Sequence, residues 1–280
     1  MTNTQIIMND GLGKQPGVNN TEGPQAQQGP GSGPAVLPAG LVQETSMASE
    51  LFKDEELTNI NQDMESWSPA KIVSWAVDNF GSKLAMATAF GVEGCALIAM
   101  LAEIPNSVYL FNLETGYQFE ETLQLRQQLI DKYGLFVHLV RSDESIEDME
   151  RRLNGPIYGS DPDRCCNIRK IIPLRSVIKN YDAWISAIRR EQSPIRASAP
   201  IVGWDTKFDM VKVNPLANWT KKDVWDYIVK NDVPYNPLYD QGYASIGCYP
   251  CTRPIGAGEH ERAGRWAGFA KTECGLHIPG

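Results

Sequence analysis

From residue 84 to residue 140, short apolar runs alternate with stretches of helical length, and this alternation limits the possible folds more than any other feature of the chain. Residues 84–89 read as a buried strand, and the turn Phe90-Gly-Val-Glu-Gly94 leads into an apolar helix through Met100. Residues 107–112 read as the next strand, 117–132 as a helix and 135–140 as a third strand. Such a succession needs right-handed crossovers, so the expected architecture is α/β, a parallel sheet flanked by helices. Further strands are expected at 183–188 and 210–213, with a capped helix over 220–230. Upstream, Trp67-Ser-Pro69 reads as a helix entry with Ser68 as N-cap and Pro69 in the first helical position. Ile72, Val73, Trp75, Ala76 and Phe80 supply its apolar stripe, and Gly81 ends it. No internal repeat is visible.

The domain starts late. Thirteen of the thirty residues from 11 to 40 are Gly or Pro, and residues 1–46 carry no aromatic side chain, so this stretch is expected to be a disordered tail without a core. Residues 47–280 then form one domain, opened by a helical face of Leu51, Phe52, Leu57 and Ile60. Acidic residues outnumber basic ones 34 to 26, a net charge of −8 that gives no general attraction to nucleic acid or anionic membrane. No apolar run suffices for a membrane span and no secretory signal is visible, so a cytoplasmic location is expected. In that reducing compartment six cysteines are expected to serve metal or redox chemistry, not a disulfide scaffold.

Ligands of parallel sheets bind beyond the carboxyl ends of the strands, which directs attention to three loops. Thr88-Ala-Phe90-Gly91-Val-Glu-Gly94 can offer backbone N–H groups and a helix N-terminus to a phosphate, or be a plain tight turn. Asn112-Leu-Glu114-Thr115-Gly116 places polar groups directly after a strand, as a ligand loop or a capped turn. Arg189-Arg190-Glu-Gln-Ser193 puts two guanidinium groups at the same edge, suited to an oxyanion or to solvent.

The cysteines divide into groups. Cys248-Tyr-Pro-Cys251 has the two-residue gap that lets two thiolates share one centre, and Cys165-Cys166 is expected at the start of a helix whose N–H end and neighbouring cations favour thiolates. Four soft ligands suit tetrahedral zinc or an iron-sulfur cluster, and adjacent ligands strain a single ion more than a cluster with separated iron corners. Cys95, on an apolar helix, reads as a small buried hydrophobe. Cys274 stands apart, near the C-terminus beside Gly275 and three residues before His277, and reads as a nucleophile or as an inert terminal thiol.

Cys165-Cys-Asn-Ile-Arg-Lys170-Ile-Ile-Pro-Leu174, Arg189-Arg-Glu-Gln-Ser193, Gly247-Cys-Tyr-Pro-Cys-Thr252, Gly258-Glu-His-Glu-Arg262-Ala-Gly-Arg265-Trp266 and Glu273-Cys-Gly-Leu-His277 resemble, in order, the motifs of assimilatory adenylylsulfate (APS) reductases. The resemblance runs from about Met64 to His277. It implies an adenine-nucleotide alpha-hydrolase-like fold with a mobile C-terminal catalytic segment over 260–280. It also implies reduction of APS to sulfite and AMP, with Cys274 as nucleophile and an S-sulfocysteine intermediate. The electron donor would be reduced thioredoxin or glutaredoxin as a separate protein, since no such domain follows His277, and the enzyme a homo-oligomer.

By the same resemblance Cys165, Cys166, Cys248 and Cys251 hold a [4Fe-4S] cluster. Lys170 lies between cluster and sulfate, Arg262, Arg265 and His277 surround the sulfate, and Thr88, Phe90, Gly91, Glu114, Thr115, Gly116, Arg189 and Arg190 belong to nucleotide-binding segments. The nearest alternative is reduction of the 3′-phosphorylated nucleotide, PAPS. Two positions depart from the family pattern: Gly94, where many relatives are acidic or carry serine, and a shorter, less Trp-rich segment at 266–271.

Overall fold

The computed structural model describes residues 54–105, 107–271, 273, 275 and 276. The expected tail, Leu51, Phe52, Cys274 and His277 lie outside them.

Two helices lead into the sheet, α1 (Asp54–Met64) and α2 (Pro69–Phe80). The Ser68 hydroxyl caps α2 by accepting from the Lys71 N–H, and Gly81 closes it at φ +49°, where a Cβ would be strained. Then follow β1 (Leu84–Thr88), α3 (Val92–Ala102), β2 (Tyr109–Leu113), α4 (Glu120–Tyr133), β3 (His138–Val140) and α5 (Ile146–Leu153). The remainder comprises α6 (Pro162–Cys166), a π turn over Asn167–Ile171, α7 (Ile172–Ile178), β4 (Ala183–Ile185), β5 (Val202–Asp205), β6 (Met210–Val213) and α8 (Lys221–Lys230).

The six strands lie in the order β3-β2-β1-β4-β6-β5. All pairings are parallel except β5 against β6, so the expected wholly parallel sheet acquires one antiparallel edge. That strand carries Gly203 and follows Pro200, and its four residues are too few to show a strand period. Strand β3 is shorter than its apolar run because it pairs only with Phe111 to Leu113 at the sheet's edge.

Alternation along the strands divides the core in two. Leu84, Met86, Leu110, Ile185, Val211 and Val213 face a large cluster with α2, α3, α4 and α8, whereas Ala85, Phe111, Trp184 and Met210 face a smaller one with α7. Helix α3 is buried from Val92 to Leu101, as expected of an all-apolar helix packed between sheet and neighbours. Each Leu or Ile withdrawn from water there contributes about 1.5–3 kcal/mol.

Cys165 and Cys166 lie near the start of a continuous helical run from Pro162 to Ile178, formed by α6, the π turn and α7; Asp161 caps it, and the Cys165 N–H is bonded to the Asp161 carbonyl at 3.1 Å. Among the described residues no helix is long and apolar enough to cross a membrane.

Candidate functional site

The chain reverses direction across the sheet between β1 and β4, where open α/β sheets place their ligand crevices. A cleft of about 210 Å³ opens at that point over the carboxyl ends of β1, β2 and β4, its walls including Thr88, Asn112 and Ser186. The strand ends leave polar groups without partners inside it. Asn112 is fully buried and its Nδ2 donates to the Thr88 carbonyl at 2.7 Å, but its Oδ1 has no hydrogen-bond partner among the described residues, nor does Gln118 Oε1. Buried acceptors of this kind cost free energy unless a donor fills the space, and so mark a polar ligand site.

The β1 loop is built tightly. Thr88 Oγ1 accepts from the Phe90 N–H at 3.0 Å, Phe90 sits at φ +55° with its ring buried, and Gly91 caps α3. Strain in a non-glycine residue persists where the surroundings over-determine it, commonly at ligand sites. The same helix end already holds a carboxylate, Glu93, whose Oε1 accepts from Arg189 Nε and from Gln192 Nε2, both at 2.9 Å.

Of the side chains anticipated from sequence, Thr88, Gly91, Thr115, Lys170, Arg262 and Arg265 line the cleft, and Phe90, Glu114, Gly116, Arg189 and Arg190 do not. Glu114 accepts from the Gly116 N–H at 2.6 Å and from Arg141 at 3.0 Å. Gly116 adopts φ +79°, and a Cβ there would collide with Ile146. Arg189 is wholly buried beneath the cleft among Glu93, Glu261 at 3.3 Å and Glu191 at 3.5 Å. Arg190 turns outward to Glu65 at 2.7 Å and the Ala199 carbonyl at 2.8 Å. Burial pushes the Glu261 carboxyl above its ordinary value; the Arg189 charge opposes the shift and Glu93 adds to it.

Beside the cleft, a small pocket is walled by all four paired cysteines, with Thr115, Lys170 and Cys248 shared between the two spaces. The CxxC turn is fastened to the chain after β2, since Cys248 bridges Gln118 and the Tyr249 N–H donates to the Tyr117 carbonyl at 2.8 Å. Thr115 Oγ1 lies 3.3 Å from Cys248 Sγ. Burial, and then the charges of Cys248 and Cys251, push the Cys165 thiol up to about 11, with Lys170 and Arg169 opposing. Burial and Cys248 likewise raise Cys251.

Cys165 and Cys251, raised in this way, are both thiolates only beside a positive centre. Among the described residues no three Cys, His, Asp or Glu side chains converge as ligands of a single ion. Two cysteine pairs that wall one pocket supply four soft donors, the ligand type that tetrahedral zinc and iron-sulfur clusters take. Cys95 is fully buried on α3, its thiol held protonated by that burial.

The chain approaching position 274 is held along the cleft. Trp266 is buried, its N–H donates to the Cys251 carbonyl at 3.0 Å, and Arg265 lies 4.5 Å from its ring centroid. Lys271 pairs with Asp163. The Glu273 carboxylate takes both Arg196 and Arg262 at 2.7 Å, so Arg262, expected to face a sulfate, is here engaged by the tail. Leu276 packs on the second core cluster. Sequence reasoning missed Arg196 altogether; it quoted Gln192 only as part of the loop from Arg189 to Ser193, and Glu273 only as part of the motif around Cys274, assigning neither a role of its own.

Residues 83–254 match the phosphoadenosine phosphosulfate reductase domain. A Gloeobacter violaceus protein named phosphoadenosine 5′-phosphosulfate reductase is 44% identical over 79% of this chain and 93% of its own length. Proteins named adenosine 5′-phosphosulfate reductase from Salinibacter ruber and adenosine 5′-phosphosulfate reductase 1 from Bacillus subtilis are 40% and 41% identical, over 81% and 74% of this chain and 90% and 89% of theirs. The crystal structure of phosphoadenylyl-sulfate reductase from Candida auris, a phosphate complex, superposes with a TM-score of 0.66 at 28% identity, covering 72% of this chain and 98% of that one.

Proposed function

The chain belongs to the phosphoadenosine phosphosulfate reductase domain family, and from that premise we propose that it reduces APS to sulfite and AMP, in sulfate assimilation, through sulfur transfer to Cys274. The observation that carries the reading is the seating of Glu273 and Leu276, the residues around position 274, in the walls of a cleft that also contains Lys170, Arg262 and Arg265. A thiol carried there would meet the cations Lys170 and Arg265, which suit a sulfate and a phosphate. The choice of APS over PAPS follows the Salinibacter and Bacillus relatives and the four paired cysteines. The Gloeobacter relative's name keeps PAPS as the second reading.

In the first step the Cys274 thiolate attacks the sulfur of the sulfate, an S–S bond forms and the bond from sulfur to the bridging oxygen breaks. AMP departs with that oxygen and the bonding pair. Lys170 and Arg265 offset charge on the transferring sulfonate and on the leaving phosphate. In the second step a thiolate of reduced thioredoxin or glutaredoxin attacks Cys274 Sγ, and sulfite leaves with the electron pair. The donor's second thiol then resolves the mixed disulfide, so that the donor is oxidised by two electrons and Cys274 is regenerated. The active form is a homo-oligomer in the cytoplasm.

Cys165, Cys166, Cys248 and Cys251 would hold a [4Fe-4S] cluster, which supplies the positive centre that keeps the four sulfurs ionised. Lys170 lines both spaces and would serve substrate and cluster alike, and Thr115, 3.3 Å from Cys248 Sγ, would steady that ligand. The test is turnover on APS and PAPS by anaerobically purified protein, with iron and sulfide assayed alongside. Sulfite release from APS with about four irons per chain supports the reading, and a clear preference for PAPS or an iron-free active enzyme overturns the corresponding part of it.

A further inference from the structure

Glu273 precedes the expected nucleophile, and its carboxylate is enclosed to a degree unusual for an acidic side chain, at 1% exposure. Its Oε2 accepts from Arg196 Nε at 3.0 Å while Oε1 accepts from Arg196 Nη2 and from Arg262 Nη2, both at 2.7 Å. Ser193 Oγ stands 3.5 Å from Oε2. The receiving side is itself rigid. Arg196 is 7% exposed in its side chain, and its Nη1 donates to Gln192 Oε1, which also accepts the Arg189 N–H at 3.0 Å. Beyond position 274 the Gly275 carbonyl accepts from Lys207 Nζ. Both flanks of the nucleophile position are therefore tied to the domain, and the upstream tie is a bidentate, desolvated ion pair whose fork fixes direction as well as distance.

We propose that Glu273 is the positioning residue of the sulfur transfer. Seated between Arg196 and Arg262, it holds the tail against the cleft for attack on the nucleotide, and its withdrawal releases the tail to the dithiol donor. The assignment rests on the S-sulfocysteine reading above for its catalytic meaning, but the seat itself is independent of that reading. Both halves of the reaction draw on the same contact with opposite sign. A firmer seat favours sulfur capture and retards reduction, and a looser seat does the reverse. Glutamine in place of Glu273 keeps the shape, removes the charge and turns an N–H₂ toward a guanidinium, so the seat loosens while the backbone is unchanged.

Three measurements on the cluster-loaded enzyme test this. Limited trypsin cleavage after Lys271, read by mass spectrometry as loss of the last nine residues, needs no substrate. Glu273→Gln is expected to raise its rate by about tenfold or more. In single turnover with APS, sulfonation of Cys274 is expected to fall by a similar factor, whereas reduction of the preformed adduct by thioredoxin is unchanged or faster. Glu273→Asp, which keeps the charge, restores part of the sulfonation rate. Arg196→Lys, which loses the fork but keeps the cation, reproduces the Gln phenotype and serves if Glu273→Gln does not fold. Unchanged cleavage in folded variants, or equal slowing of both half-reactions, overturns the proposal. Faster cleavage of Glu273→Gln beside a wild-type enzyme that forms no sulfonate adduct leaves the seat standing and refutes the reaction assigned to it.

Discussion

Arg189 and Arg190 are adjacent and chemically identical, yet the structure gives them different energetic roles, which a pair of substitutions separates. The Arg189 side chain is 0% exposed and holds Glu93 at 2.9 Å and Glu261 at 3.3 Å, carboxylates that are themselves 11% and 21% exposed. Arg189→Met removes the cation and leaves two acids facing each other beneath the cleft. Breaking a buried pair by removing one partner costs about 3–5 kcal/mol, a large share of a typical total of about 5–15 kcal/mol. For a domain of this size each kcal/mol moves the melting temperature by about 2–4 °C, so the expected drop is about 6–20 °C. Arg190→Met breaks a pair with Glu65 that is 28% and 45% exposed, together with bonds to the Ala199 carbonyl and the Asn218 side-chain oxygen. The pair is worth about 0–1 kcal/mol and each bond about 1 kcal/mol, a shift below about 12 °C. Thermal unfolding followed by circular dichroism on proteins of matched iron content distinguishes the two. Adding Glu93→Gln to Arg189→Met should recover part of the loss, because one of the stranded charges is then gone. Equal shifts for the two single variants, or no recovery in the double variant, would refute the account of Arg189 as the counter-charge of the cleft floor.

Other consequences are simpler to state. A Cβ on Gly247 would overlap the Arg265 guanidinium, so Gly247→Ala is expected to push Arg265 from the cleft and raise KM for APS about tenfold with iron content retained; an unchanged KM contradicts the placement of Arg265. Cys251→Ser is expected to lose the visible iron-sulfur absorbance, whereas Cys95→Ala keeps it, since Cys95 lies inside α3 away from the four-cysteine cavity. His138 is partly enclosed, stacking on Tyr109 at 4.2 Å, and burial holds its imidazole below the ordinary value. The folded state thus binds its proton less readily than the unfolded chain, so this contribution to stability is complete above about pH 6.5 and declines as the pH falls toward the lower folded value. The melting temperature of His138→Phe should therefore fall less between pH 7 and pH 5 than that of the wild type; parallel slopes would contradict this.

What was legible in the sequence follows from where local signals are strong. Strand β6 and the Thr220-capped helix α8 appear where periodicity and capping place them, because Met210 to Val213 is bounded by polar residues and Thr220 and Asp223 form a reciprocal capping box. Strand β5 was not legible, since four residues including a glycine derive their structure from pairing with β6 and not from their own pattern. Helix α5 was readable from Ser145 and the spacing of Ile146, Met149 and Leu153, but it lay between the motifs that attracted attention. At the site, spacing was informative for the cysteines, whose two pairs meet at one cavity although 82 residues separate Cys166 from Cys248. It was uninformative for the arginines. Whether a guanidinium faces a ligand or a carboxylate depends on partners distant in sequence, as Arg189 depends on Glu93 and Glu261, and Arg262 on Glu273.

The account depends most on one covalent event at Cys274. Protein incubated with APS in the absence of any dithiol, digested and weighed, should carry one sulfonate on the peptide that contains Cys274, with AMP released in equal amount, and thioredoxin should remove that sulfonate as sulfite. An active enzyme whose Cys274 stays unmodified under those conditions, or whose Cys274→Ser variant still forms sulfite, would contradict it.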